Sequence, residues 1–298
     1  MNNAINEHPV KSPDTRTVGV VINGLTHPCT LNMLGEVTRQ LNNRGALTLL
    51  LNVESDNHWQ SVLKGAQRSL PDGLIIIGTD HSDALISTLK ALSDIPVVCP
   101  GSISEASTTW TGADYAAAGA ETARLLLSQG FQRFGYLQER ESNPASAQKM
   151  TGFADALIQQ DKTLNKVLTA GGADRELAYQ AMLGYLKKTR ASERINALFC
   201  ENDLLAFGAM QAIRDFGQGV HIGVVGFADV DEARASTWHL TSWAPPCDQQ
   251  IAEALDQLLG GSAIQSDARR KSELQIRHSH LGKEVHETMT KCGCASRH

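Results

Sequence analysis

Aromatic residues are scarce in this chain, at 5% of 298 residues, and proline occurs only nine times. Long apolar runs are missing too. Stretches such as Leu47-Thr-Leu-Leu-Leu51 and Gly73-Leu-Ile-Ile-Ile-Gly78 are strand-sized, far short of the roughly 20 residues a membrane helix needs. Positive charge is not in surplus, since 27 Lys and Arg stand against 32 Asp and Glu for a net charge of −5. Neutralising phosphates takes a cationic excess, so the composition argues against broad nucleic-acid or anionic-membrane binding and leaves room only for a local basic patch. The first 14 residues lack the basic start and apolar stretch of a secretory signal, so a cytoplasmic location is expected. Cysteine is used sparingly: Cys29, Cys99, Cys200 and Cys247 are scattered singly, with one close pair, Cys292 and Cys294. That spacing reads as reduced and buried thiols, not a disulfide framework.

What the chain does have is 42% hydrophobic residues, enough for a sizeable core. At roughly 100–200 residues per domain the length fits two compact units or one bilobed body. Apolar β-branched runs at 17–22, 47–53, 73–78, 95–99, 133–137, 196–200, 221–226 and 239–243 predict strands. Between them, apolar residues recur at helical spacing over 31–44, 59–69, 82–92, 116–129, 146–160, 175–188, 204–216 and 247–259. Several of these segments stop at glycine, as at Gly45, Gly130, Gly217 and Gly260, where a helix end must turn into the left-handed region.

Strands so continuously apolar are covered on both faces. The expected fold is therefore α/β, with two series of β-α units dividing near Gly130 into two doubly wound, mainly parallel lobes. In such sheets a ligand sits beyond the carboxyl ends of the strands, at the point where strand order reverses. That rule nominates Asn23, Thr26, Thr79, Asp80 and Ser102 from the first series, and Gln138, Glu139, Glu201, Asn202 and Asp229 from the second. The competing reading is helix capping, since Ser82, Asn202 and Asp203 stand where a side-chain oxygen takes up free amide protons.

Several chemistries leave no trace. No Gly-x-Gly-x-x-Gly follows the first strand, where Ile22-Asn-Gly-Leu-Thr-His-Pro28 stands, and no phosphate-cradling Gly-x4-Gly-Lys-Ser/Thr exists. The nucleophile elbow Gly-x-Ser-x-Gly and the zinc pair His-Glu-x-x-His are missing as well. Neither a cofactor nor a metal is expected, and an enzyme is the outside reading. The metal-like set His278, His280, His286, Cys292, Cys294 and His298 lacks the spacing of structural zinc sites and reads as a polar tail over 282–298.

Ten short strings in order then carry a resemblance. They are Val18-Gly-Val-Val-Ile22 with Pro28; Asp72-Gly-Leu-Ile-Ile76; Ile95-Pro-Val-Val98; Asp114 with Gly119; Gly130 with Arg133; Gly152-Phe153; Asn196-Ala-Leu-Phe-Cys-Glu-Asn-Asp203; Val224-Val-Gly-Phe227; Asp229; and Leu240-Thr-Ser242. Over residues 17–281 the chain resembles the effector-binding core of lactose-repressor-family (LacI/GalR-type) transcription regulators, which share the fold of type I periplasmic sugar-binding proteins. The resemblance implies two lobes joined by three crossovers, placed near 130–134, 242–245 and 270–275. The lobes are then 17–131 with 244–271, and 132–243 with 272–281, after a flexible segment at 1–16. It also implies a small-molecule effector in the interlobe cleft, a homodimer, and operator DNA contacted only through a helix-turn-helix not present in this chain.

The cleft departs from the sugar-responsive pattern. Gly24 stands for an aspartate, Cys29 and Thr30 for an aromatic pair, Gly101-Ser102 for Asp-Arg, Ala147 for a ligand-gripping arginine, and Ala228 for another aspartate. Lys149, about 200° round a helix from Ala147, is a doubtful substitute. The expected ligand set is Asn23, Thr26, Thr79, Ser102, Gln138, Asn202, Asp229 and Trp243, the last as a stacking platform or a core residue. Losing bidentate Arg and Asp contacts points away from a standard monosaccharide or sugar acid and towards a small, mainly neutral metabolite, sugar-like by what the resemblance implies. Other readings are a solute-binding protein of the periplasmic type and a regulatory partner without DNA binding that acts by dimerising.

Overall fold

The computed structural model describes residues 15–22, 25–53, 71–78, 95–100, 114–139, 144–217, 219–260 and 273–282. The chain divides into two units, Met1–Gly112 with Cys247–Arg269, and Ala113–Pro246 with Arg270–His298, so it passes from one to the other three times.

In the first unit, β1 (Thr17–Ile22), β2 (Leu47–Asn52), β3 (Gly73–Ile77) and β4 (Val97–Val98) form a parallel sheet in the order β2-β1-β3-β4. Successive strand side chains point to opposite faces, so Val18, Val20 and Ile22 line one face with Ile75 and Ile77. On that face pack α1 (Pro28–Asn43), through Val37 and Leu41, and α6 (Cys247–Leu259), through Ile251 and Leu255. Burying each such side chain contributes about 1.5–3 kcal/mol. Val21, Leu74, Ile76 and Cys99 form a smaller cluster on the other face. The end of α1 is tied to α6 by an ion pair, Arg44 to Asp256 at 2.7 Å, with both side chains mostly buried. The predicted helices at 59–69 and 82–92 lie outside the described residues.

The second unit holds β5 (Phe134–Gln138), β6 (Leu164–Thr169), β7 (Ala197–Cys200), β8 (Gly223–Phe227), β9 (Thr241–Ala244) and β10 (Glu273–Gln275), in the order β10-β9-β8-β7-β5-β6. All ladders are parallel except β9 with β10. Its helices are α2 (Tyr115–Ser128), α3 (Pro144–Ile158), α4 (Arg175–Lys188) and α5 (Asp203–Phe216). The scarce aromatics concentrate here: Phe134, Tyr136, Phe153 and Phe199 are fully buried, with Tyr136 edge-on to Phe199 at 5.4 Å.

One boundary departs from the expected division. The helix α2 belongs to the second unit, although the segment up to 131 reads as part of the first lobe. The reason is a glycine-mediated helix contact. A Cβ on Gly119 of α2 would stand 2.1 Å from the Lys149 carbonyl oxygen of α3, and one on Gly152 of α3 would stand 2.0 Å from that of Ala116. Only bare backbone allows this approach, and it fixes α2 on α3. The strands β6 and β10 are additions to the expected set. The sequence Leu164-Asn-Lys-Val-Leu-Thr169 lies at the sheet edge with mostly exposed side chains, so it lacks the apolar run that marks a buried strand.

Candidate functional site

Strand order reverses in the second sheet between β5 and β7, because β6 is added outside β5 and β7 on its other side. Beyond the carboxyl ends of these two strands lie Gln138, Glu139, Glu201 and Asn202. In the first sheet the corresponding point lies between β1 and β3, where Thr26 is exposed in the turn before α1. Asn23, Thr79, Asp80 and Ser102 lie outside the described residues.

The Asn202 side chain bridges the reversal point. It is the N-cap of α5, its Oδ1 accepting from the Leu205 amide at 3.0 Å, while its Nδ2 donates to the Glu139 carboxylate. The Glu139 amide in turn donates to Glu201 Oε2 at 2.9 Å. Gln138 caps the edge of the group, with its Nε2 3.3 Å from Thr169 Oγ1. Two carboxylates and an amide thus share one strand-end cluster, with Glu201 and Asn202 buried and Glu139 half-buried.

Lys149, outside the expected ligand set, brings a cation to the end of β7. It lies on the buried face of α3 with Ser146, Gly152 and Phe153, and only 6% of it is exposed. Its Nζ donates to the Glu201 carbonyl at 2.8 Å and sits 4.1 Å from the centroid of the Phe227 ring. Lys149 faces the strand ends, whereas Ala147, about 200° round the helix, is half-buried. A lysine repeating at three- and four-residue spacing with buried residues was the sequence signal for this placement.

Beyond β8, Ala228 and Asp229 both have positive φ, 109° and 49°, a region that residues with a Cβ rarely adopt. The surroundings hold them there. The Ala228 amide donates to the Trp243 carbonyl at 2.9 Å, and the Asp229 amide donates to Ser242 Oγ at 3.0 Å. Asp229 Oδ1 accepts from Arg277 Nη1 at 2.7 Å in a largely buried ion pair. The Asp229 carboxylate therefore faces Arg277, a partner contributed by the segment after β10 that nothing in the local sequence announces. Beneath them Asp203, fully buried at the start of α5, accepts from Ser242 Oγ at 2.6 Å and from the Val230 amide at 2.8 Å. Burial pushes its carboxyl up to about 7, against the pull of those hydrogen bonds.

Trp243 is a core residue. It is 2% exposed, stacked on Phe227 at 5.3 Å, and its Nε1 donates to Glu121 at 3.0 Å. Cys200, at the end of β7, is likewise buried, which pushes its thiol well up and keeps it protonated. Cys29, Cys99, Cys200 and Cys247 are all unbridged, and Cys292 and Cys294 lie outside the described residues. Among the described residues no group of histidines, cysteines and carboxylates is arranged to hold a metal ion, and no helix is long and apolar enough to cross a membrane.

Residues 15–260 match the family model of periplasmic binding proteins and the sugar binding domain of the LacI family. The chain belongs to that family. Among curated relatives of this LacI-type core, the HTH-type transcriptional repressor PurR of Erwinia tasmaniensis is 27% identical over 256 residues, covering 84% of this chain and 74% of that one. PurR of Salmonella paratyphi B is 29% identical over 215 residues, covering 70% of this chain and 61% of its own. Among solved structures, the transcription regulator GntR of Chromobacterium violaceum superposes with a TM-score of 0.71 at 26% identity, covering 89% of this chain and 99% of that one. A LacI family regulator from Enterococcus faecium with bound ribose gives 0.73 at 20% identity, covering 90% and 100%, a likeness of fold. The relatives are transcription regulators, and the two-unit α/β architecture is theirs.

Proposed function

We propose that the chain is the effector-sensing core of a LacI-type transcription regulator and that its effector is a small, mainly neutral metabolite rich in hydrogen-bonding groups. The observation that carries this reading is the cluster at the reversal point of the second sheet. There Glu139, held by Asn202, and Glu201 offer carboxylate acceptors beside the buried Lys149 ammonium. Set in fixed directions, carboxylates read hydroxyl and amide protons, and an ammonium reads acceptor oxygens and nitrogens, so a ligand is recognised by orientation. With two carboxylates to one ammonium the cluster keeps one net negative charge, which disfavours an anionic ligand. Gln138 extends the acceptor and donor set, and in the first unit Asn23, Thr26, Thr79 and Ser102 are the corresponding strand-end residues. Asp229 acts by holding the turn after β8 through Arg277, and Trp243 by supporting Phe227 under Lys149.

The sugar-bound relative and the sugar-binding description of the family support a sugar-like ligand, whereas the PurR relatives leave other ligand classes open. The protein signals by shifting a conformational equilibrium towards the form that binds effector better. It works as a homodimer, for which the exposed Leu31, Leu47 and Leu50 of the first unit supply apolar surface. Operator contact, where the chain takes part in it, runs through a separate DNA-reading segment.

Thermal-shift screening of a metabolite library tests the reading, because a ligand that binds only the folded state raises its melting temperature by mass action. The expected hit shifts the native protein and not Glu139→Gln. A hit that shifts both equally places the effector elsewhere.

A further inference from the structure

At the opposite, amino-terminal end of the second sheet, a groove of about 560 Å³ runs along the edge strand β6. Leu168 and Ile195 give it an apolar floor, and the exposed Asn165 and Lys166 form one wall. The other wall is the last two turns of α4 with Lys188 and the residues that follow it. It is open because of Gly184, whose missing Cβ would meet nothing within 4 Å.

The groove is cationic in a protein whose net charge is −5. Lys166 and Lys188 line it, and Lys187, Arg190 and Arg194 adjoin its lining residues. Arg133 joins them, its Nε donating to the Arg194 carbonyl. Glu193 is the one carboxylate among the lining residues. Among the described residues, none of these six cations forms an ion pair with a carboxylate. Arg194 spends its Nε on the Thr189 carbonyl at 2.9 Å and stacks on Phe216 at 4.7 Å, which fixes a guanidinium at the rim.

We propose that this groove is a docking surface for an acidic, extended segment of a partner protein, which adds to β6 as a further strand. A terminal strand presents unpaired amides and carbonyls in a row, and an extended peptide satisfies them. A lysine alone on an edge strand is a common guard against aggregation. It does not account for cations on the facing wall or for the hollow that Gly184 leaves. The partner is acidic because the groove's six cations outnumber its single carboxylate, Glu193, and a basic segment would be repelled. Of the chain's own segments outside the described residues, 261–272 and 283–298 do not fit, since each carries more Lys and Arg than Asp and Glu. A compact anion would need converging donors, and these cations are spread along both walls.

Fluorescence anisotropy with the full chain and a labelled peptide of alternating Glu and Val, at low salt, tests the proposal. Binding is expected, and Lys166→Glu with Lys188→Glu should weaken it at least about tenfold. Gly184→Leu, which fills the hollow without facing a neighbour, should weaken it comparably while a thermal melt shows the fold retained. The same peptide N-methylated at alternate backbone amides keeps its charge but cannot pair with a strand, and it should bind at least about tenfold more weakly. Failure of the acidic peptide to bind, or equal binding of the methylated peptide, overturns strand addition. Tighter binding of inorganic polyphosphate or of a DNA duplex, abolished by the same charge reversals, overturns the peptide as the occupant.

Discussion

Asn202 and Glu139 are joined across the point where strand order reverses: the amide that caps α5 through its oxygen spends its nitrogen on the Glu139 carboxylate. Capping and site assembly are therefore one device. Asn202→Ala should destabilise the protein by about 1 kcal/mol, the usual worth of such a cap. It should also weaken effector binding about tenfold, because Glu139 loses the donor that orients it. Asn202→Asp separates the two effects. It keeps a capping oxygen but sets a second negative charge against Glu139, so urea melts should show near-native stability while calorimetry shows the larger loss of affinity. Equal affinity in all three proteins would remove Glu139 from the site.

Glycines placed in helices of the second unit should respond to substitution in opposite directions. In Gly152→Ala the new methyl meets the Ala116 carbonyl oxygen at 2.0 Å, backbone that cannot move aside cheaply. A loss of about 1–3 kcal/mol or more is expected, as for an overpacked core. In Gly184→Ala the methyl meets nothing, and alanine is the better helix former by about 1 kcal/mol. That variant should melt at a higher temperature than the native protein. Guanidinium unfolding of the pair decides whether close helix approach or intrinsic propensity governs each position.

The β-α alternation was legible because buried strands such as β1 and β3 are continuous apolar runs, whereas β6 escaped because an edge strand need not be. The reversal-point rule nominates Glu139, Glu201 and Asn202 from sequence because it depends only on where strands end, and the structure brings the three into one hydrogen-bonded group. The rule could not find Arg277, which reaches Asp229 from 48 residues away. Trp243 shows the limit from the other side. An aromatic at a strand end fits a stacking platform and a core position equally well in sequence, and only its packing on Phe227 and its bond to Glu121 assign it to the core. The burial of Lys149 follows from its spacing to Ser146, Gly152 and Phe153, whose face of the helix it shares.

Lys149 binds through both its stem and its head, and two substitutions separate them. The stem packs within the protein and the ammonium bonds to the Glu201 carbonyl and faces Phe227. Lys149→Ala removes both and should cost about 2–4 kcal/mol, in the range of large-to-small core changes. Lys149→Met keeps a stem of similar length and should lie at least about 1 kcal/mol nearer the native protein. On the proposed reading, in which the effector meets the ammonium, both should lose effector affinity to the same degree. If the two variants are equally destabilised in chemical melts, the ammonium bond dominates and the stem contributes little.

Asp203 gives the second unit a pH dependence of defined sign. Its carboxyl is raised to about 7 by burial, opposed by the Ser242 and Val230 hydrogen bonds and the more distant Arg277, and reinforced by Asp229. The folded protein therefore holds a proton on Asp203 that the unfolded chain releases near the ordinary carboxylate value. The stabilisation from that proton is complete below about pH 4, declines as pH rises through neutrality and is gone above the folded value, at about 1.4 kcal/mol per pH unit within the window. Asp203→Asn cannot ionise and lacks the decline. At pH 5 it should lie close to the native protein in stability, since the protonated carboxyl, like the amide, is a neutral group with one carbonyl acceptor. By pH 8 the variant should be the more stable of the two, because the native protein then carries a buried charge that the variant does not. Urea unfolding at the two pH values measures this directly, and a gap that stays constant would show that Asp203 is already ionised at pH 5.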